Sequence, residues 1–158
     1  MTPGHHVVRS VADAPWLPPG GRADVVRTPG GGRCPEPTGL ARLLVERDGT
    51  VFSVPRDGSG KSDLPTVRTA AGESGQQAAH RLAAAVLAGH TDLTLVGYVR
   101  NTVSTTAAAY PWPTPFAHFV VFRAAISDVR VPGTWVSREA PGDLVERHWW
   151  PLVATPTT

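Results

Sequence analysis

The residues whose types and spacing best suit chemistry are gathered between Leu64 and Arg81. The run reads Leu64-Pro65, then Gly72-Glu73-Ser74, then Ala78-Ala79-His80-Arg81. Glu73 and Arg81 are separated by seven residues, and Ser74 and Gln77 have the spacing of a capping box, in which each side chain satisfies an orphan amide at the other's position. Outside this run, Arg56, Lys61 and Arg100 could meet a phosphate or carboxylate, and Tyr110 and Trp112 could present flat faces to an aromatic ligand. His118 reads first as a hydrogen-bonded core histidine. Its other reading is a polar group in a cleft, able to act as donor or acid/base. Lone carboxylates at Asp63, Glu139, Asp143 and Glu146 could supply a base or a metal ligand, although such groups on loops are usually solvated. Cys34, the only cysteine, lacks a base beside it and reads as an incidental thiol; a single cysteine also excludes an internal disulfide.

The elements that must hold these residues follow from local patterning. Residues 1–37 read as a poorly structured arm, because prolines and glycines at 15–21 and 29–32 deny it regular ladders; within it Val25-Val26 could add a short strand, and His5-His6 read as solvent-exposed. Residues 38–158 read as the folded domain. Its first unit is a hairpin, with runs at 40–46 and 50–54 joined through Asp48-Gly49, a strong hairpin dipeptide. A short strand is predicted over 64–69. The clearest helix follows Ser74 and covers 76–88, with Gly89 as its stop. Strands are predicted at 93–102 and 116–125, parted by the proline-rich loop 110–115, and a helical turn at 143–148. Trp149 and Trp150 read as packing for the C-terminal segment. This order suits a mixed sheet with helices packed on it.

Taken together, the ungapped string from Leu64-Pro65 through Gly72-Glu73-Ser74 to Ala78-Ala79 and Arg81 resembles the Nudix hydrolase family, whose signature is G-x5-E-x7-R-E-U-x-E-E-x-G-U with U apolar. The likeness extends over roughly residues 38–152. It implies an α/β fold, a Nudix-like α/β/α sandwich with a mixed β-sheet, in which Gly72, Glu73, Ser74 and Arg81 are structural remnants of the box and Arg81 braces the loop before the helix. It also implies a cleft beside the box helix. The departures are equally specific. The family's metal-binding glutamates fall at Leu82, Ala85 and Val86, one face of a helix, and none of these offers the oxygen donors that Mg²⁺ requires. The box glycine is replaced by Val67 and the later glycine by Ala88.

Composition narrows the remaining choices. The chain has 158 residues, 41% of them hydrophobic, and a formal charge of +2. No stretch suits a membrane span, no secretory leader is visible, and no basic run marks a nucleic-acid surface; a cytoplasmic protein is expected. Lys61 is the sole lysine among 15 basic residues, a bias suggesting a high-GC bacterial genome. The leading expectation is a divergent Nudix-fold protein without bound metal or other cofactor. It would bind a nucleotide-like or other small anionic or aromatic ligand through Arg56, Arg100, Tyr110, Trp112 and His118, as a sensor, an accessory protein or a metal-independent enzyme. One alternative is a Mg²⁺-dependent hydrolase of a nucleoside-diphosphate-linked compound, using carboxylates outside the box; its weak catalytic candidates are His118, Glu73 and Glu146. The other is an interaction module, a possible homodimer, in which the apolar helix face buries a partner as well as the sheet.

Overall fold

The computed structural model describes residues 4–29, 32–56 and 58–155. Ten strands and one α-helix follow in the order β1 (His6–Val11), β2 (Arg22–Arg27), β3 (Thr38–Leu44), β4 (Glu46–Arg47), β5 (Thr50–Pro55), β6 (Ser62–Asp63), β7 (Thr66–Arg68), α1 (Gly75–Val86), β8 (Leu93–Thr102), β9 (Phe116–Ala124) and β10 (Thr134–Ser137). Two 3-10 turns, Gly142–Glu146 and Trp150–Leu152, close the chain.

The central sheet has the order β1-β2-β8-β9-β3-β7. Among the described residues only the β3–β9 pair is parallel, which follows from the long crossover through α1 that separates those strands. A smaller sheet, β10-β5-β4, hangs from the end of β3, and β6 pairs with β5. The Asp48-Gly49 turn joins β4 to β5 with Arg47 opposite Thr50. Both turn residues have positive φ, 48° and 79°, the primed geometry that matches strand twist. The mixed sheet and its packed helix give the expected α/β sandwich. On the face opposite α1 lie the two short 3-10 turns, the first of them where a helical turn was predicted at 143–148.

Three expectations are corrected. Residues 6–27 are not a poorly structured arm: β1 and β2 pair with each other and β2 adds to β8 along its full length. Ala23 and Val25 are fully buried in the core on one face of the sheet and Val26 on the other, so alternating burial, rather than the flanking glycines and prolines, decides the structure here. His5 is buried, with Nδ1 3.0 Å from the Tyr98 hydroxyl. The helix stops at Val86 rather than 88. Leu87 is extended and bridges Val129, and the backbone N–H of Arg130 reaches the Val86 carbonyl at 2.8 Å, so strand-like pairing supplies the stop that Gly89 was expected to provide.

Candidate functional site

The loop before α1 is braced as the box resemblance implied. Glu73 accepts two hydrogen bonds from Arg81, at 2.8 and 2.9 Å, and one from the Ala70 amide at 2.9 Å, while Arg81 also donates to the Arg68 carbonyl at 2.8 Å. The Arg81 guanidinium, then the Ala70 amide, hold the Glu73 carboxyl down at about 2. Ser74 and Gln77 form the reciprocal capping box. Glu36 adds a carboxylate at the same helix end, accepting from the Gly75 amide at 2.8 Å and the Thr38 amide at 3.1 Å, the sign favoured by the helix dipole.

The helix face where the family would hold metal is hydrocarbon. Leu82 is 6% exposed, and both it and Val86 sit in a cluster with Leu43, Val45, Phe52 and Ala124. Ala85 is exposed, but the neighbouring charge is cationic: the Arg130 guanidinium donates to the carbonyls of Ala84 and Ala85. These residues do not fit a magnesium ion, which needs oxygen ligands. Among the described residues, no group of three or more His, Cys, Asp or Glu side chains is placed to hold a metal. The same packing uses up the apolar helix face: Ala78, Ala79, Leu82, Ala83, Val86 and Leu87 are all buried within this chain.

Across the sheet from α1 lies a cleft of about 450 Å³, adjoining a second hollow of about 500 Å³ with which it shares Leu40, Arg42 and Arg56. Asp63, 8% exposed, lines that second hollow and accepts from two arginines: Arg42 Nε at 3.2 Å and an Arg147 terminal nitrogen at 2.7 Å. Arg56 and Arg9 line the cleft and Arg68 the adjoining hollow. Among the described residues, five guanidiniums (Arg9, Arg42, Arg56, Arg68, Arg147) thus stand around the two hollows against three carboxylates (Asp63, Glu146 and Asp143, whose charge acts on Arg147). Asn101 is 7% exposed, lines the cleft, and its Oδ1 has no partner among the described residues. The buried Tyr110 hydroxyl, likewise without a partner among the described residues, lies beside it as a donor. Trp16, 52% exposed, tilts over His148 at 4.8 Å on the rim. Burial, followed by the Arg9 charge, lowers the His148 pKa to about 4.

The five residues predicted as ligand-binding do not converge. Arg56 and Trp112 line the cleft. The Trp112 ring is held edge-on by Phe119 at 5.0 Å, with the Arg68 guanidinium 4.4 Å from its centre, so one of its flat faces is already covered by a cation. Tyr110 turns its hydroxyl inward, and burial raises its pKa although Asn101 lies close by. Arg100 and His118 belong to the opposite face of the sheet, because neighbours along a strand alternate: Val99 and Asn101 look into the cleft, whereas Arg100 Nε donates to His118 Nε2 at 3.0 Å, and His118 Nδ1–H donates to the Pro37 carbonyl at 3.0 Å. His118 is therefore the hydrogen-bonded core histidine of its first reading, and burial lowers its pKa. Lys61, Asp143 and Glu139 do not line the cleft; Asp143 accepts from the Ser62 amide, and Glu139 borders a separate hollow beside Asp48. Of the weak catalytic candidates, Glu146 lines the cleft, while Glu73 is committed to Arg81. Cys34 is half-buried beside Thr38, and burial pushes its thiol up to about 11.

Sequence reasoning missed Arg42, Arg147, Asn101 and Trp16. One signal was available for the first: Arg42 is a lone charge among Leu40, Ala41, Leu43 and Leu44 in a strand. No protein-family model matches the chain, and no curated protein matches it by sequence. Among solved structures it is similar to the Bacillus subtilis pyrophosphohydrolase BsRppH, in a mutant form, with a TM-score of 0.51 and 9% identity over 79% of this chain and 70% of that one. A second, an ADP compounds hydrolase, is 16% identical over 94% of this chain and 91% of its own; its TM-score of 0.38 is too low to bear on the fold. The first likeness establishes that this chain has a Nudix-like fold. Chemistry does not follow from fold.

Proposed function

We propose that this protein binds a nucleotide-like or other small anionic ligand with an aromatic part, without a divalent metal, as a sensor or accessory protein. The observation that carries the reading is the cleft itself, where among the described residues guanidiniums in excess of carboxylates border Trp16, Trp112 and Asn101, while Leu82 and Val86, two of the three box positions that would serve a metal, are packed hydrocarbon. Arginine suits anions because its planar fork binds two oxygens at once and stays charged at every physiological pH. The hydrolase alternative has less support. Asp63 is shared by two arginines, Asp143 holds the Ser62 amide, and Glu146 is the one remaining carboxylate in the cleft lining.

The test is a thermal-shift panel of nucleotides and anionic metabolites, run in EDTA and in Mg²⁺. A ligand at a hundred times its Kd stabilises a fold by about 2.7 kcal/mol, roughly 5–10 °C for a chain of this size. That shift is expected in EDTA and should shrink in Trp112→Ala, which removes the support under Arg68. Stabilisation that appears only with Mg²⁺, together with turnover abolished by EDTA, would instead establish the hydrolase.

A further inference from the structure

The family fold meets a charged ligand through a metal, but in this cleft the positive charge is already fixed in the protein. Arg42 is 11% exposed, and among the described residues its side-chain hydrogen bonding runs through Nε to Asp63 alone. Arg147 reaches the other oxygen of the same carboxylate, and its buried Nε has no partner among the described residues. One carboxylate is thus shared by two largely buried guanidiniums, with the Asp143 charge also acting on Arg147. Arg56 adds a third positive charge close enough to oppose those of Arg42 and Arg147. Asp63 therefore acts as a hinge pin that orients two forks and neutralises only one of them.

We infer that the cleft takes its ligand's charged group as a metal-free anion of the phosphoryl or diphosphate class, held by Arg42, Arg56 and Arg147, and that Mg²⁺ competes with the protein for that group instead of bridging the two. This rests on the proposed ligand-binding reading and specifies the chemistry that the same cleft recognises. Chelation by magnesium removes charge from the anion and occupies the oxygens that the guanidiniums would reach, so the chelated ligand binds worse. A metal-bridged site has the opposite dependence, because its carboxylates repel the bare anion.

The experiment is calorimetric titration of inorganic pyrophosphate into the full chain, first in EDTA and then in Mg²⁺ sufficient to saturate the pyrophosphate. Binding is expected in EDTA, with the apparent Kd at least about tenfold weaker in Mg²⁺ and weaker again as NaCl is raised. Arg56→Gln, at an exposed position, should weaken binding in EDTA by about 10- to 100-fold, the value of one charge-assisted hydrogen bond, while leaving the melting temperature of the unliganded protein unchanged. Arg42→Gln risks the fold, and for that reason Arg56 carries the test. Pyrophosphate binding that requires Mg²⁺, or an Arg56→Gln affinity equal to wild type, would overturn the inference. If pyrophosphate fails in both buffers while the thermal-shift panel yields a cleft ligand in EDTA, the metal-free anion inference falls and the ligand-binding reading stands. If nothing binds in either experiment, both fall.

Discussion

Replacing Leu82 by glutamate restores the first residue of the family's metal-binding face and therefore tests whether that face is a site or a piece of core. The side chain is 6% exposed and packs in the cluster of Leu43, Phe52 and Val86. Removing it forfeits about 2–3 kcal/mol of apolar burial. The new carboxylate has no cation in that cluster, so its pKa rises by about 2–3 units in the folded state, costing a further ~3–4 kcal/mol at pH 7.5. The total, about 5–7 kcal/mol, is a large part of the stability of an ordinary domain and corresponds to a fall in Tm of roughly 10–25 °C. The dependence on pH has a definite sign. A carboxyl with a raised folded pKa is accommodated below its unfolded value near 4.3, and the variant loses stability as pH rises through the folded value. Differential scanning calorimetry of Leu82→Glu against Leu82→Gln should therefore show similar melting at pH 4.5 and a widening deficit for Leu82→Glu up to pH 8. Magnesium should leave that deficit untouched. A glutamate variant melting within 2 °C of wild type at pH 8, or rescued by Mg²⁺, would refute the argument that this helix face is closed.

Two further predictions follow from the pKa shifts. Glu73, held at about 2 by Arg81, contributes stability that is complete above its unfolded value of 4.5 and is lost as pH falls toward 2; the Tm gap between wild type and Glu73→Gln should be constant from pH 8 to 5 and close between 4.5 and 2. Cys34, pushed from 9.0 to about 11 by burial, should react with iodoacetamide at pH 8 roughly a hundred times more slowly than a thiol at the ordinary value, because only the thiolate attacks; mass spectrometry of the alkylated chain measures the rate.

The parts of the fold that were legible in sequence were those written locally. Asp48-Gly49 specifies a primed turn, Ser74 and Gln77 specify a helix start, and β8 and β9 are long apolar runs whose ends fell within a residue of expectation. β1 was hidden and β2 was foreseen only as a short strand at Val25-Val26, because each is only six residues long and is flanked by prolines and glycines, so the local signal of the loops outweighed that of the strands. What makes β2 a strand is its partner β8, some seventy residues away. The site was harder still. Arg42, Asn101 and Arg147 come from β3, β8 and the C-terminal turns, and only sheet register brings them to one face. That register also separates Arg100 from Asn101: adjacent in the chain, they look toward opposite sides of the sheet. Glu73 and Arg81 could be paired from a motif alone because both belong to one loop and one helix.

The account turns on a protein surface that carries its own positive charge in place of a metal. The most direct measurement is a crystal structure grown in millimolar MgCl₂, with anomalous data from an equivalent MnCl₂ soak. The account predicts no ion along Leu82–Val86, and the side chains of Leu82 and Val86 buried against Leu43 and Phe52 as they are here. A divalent ion coordinated at that segment, or between Glu146 and the Asp63 carboxylate after its release from Arg42 and Arg147, would contradict it.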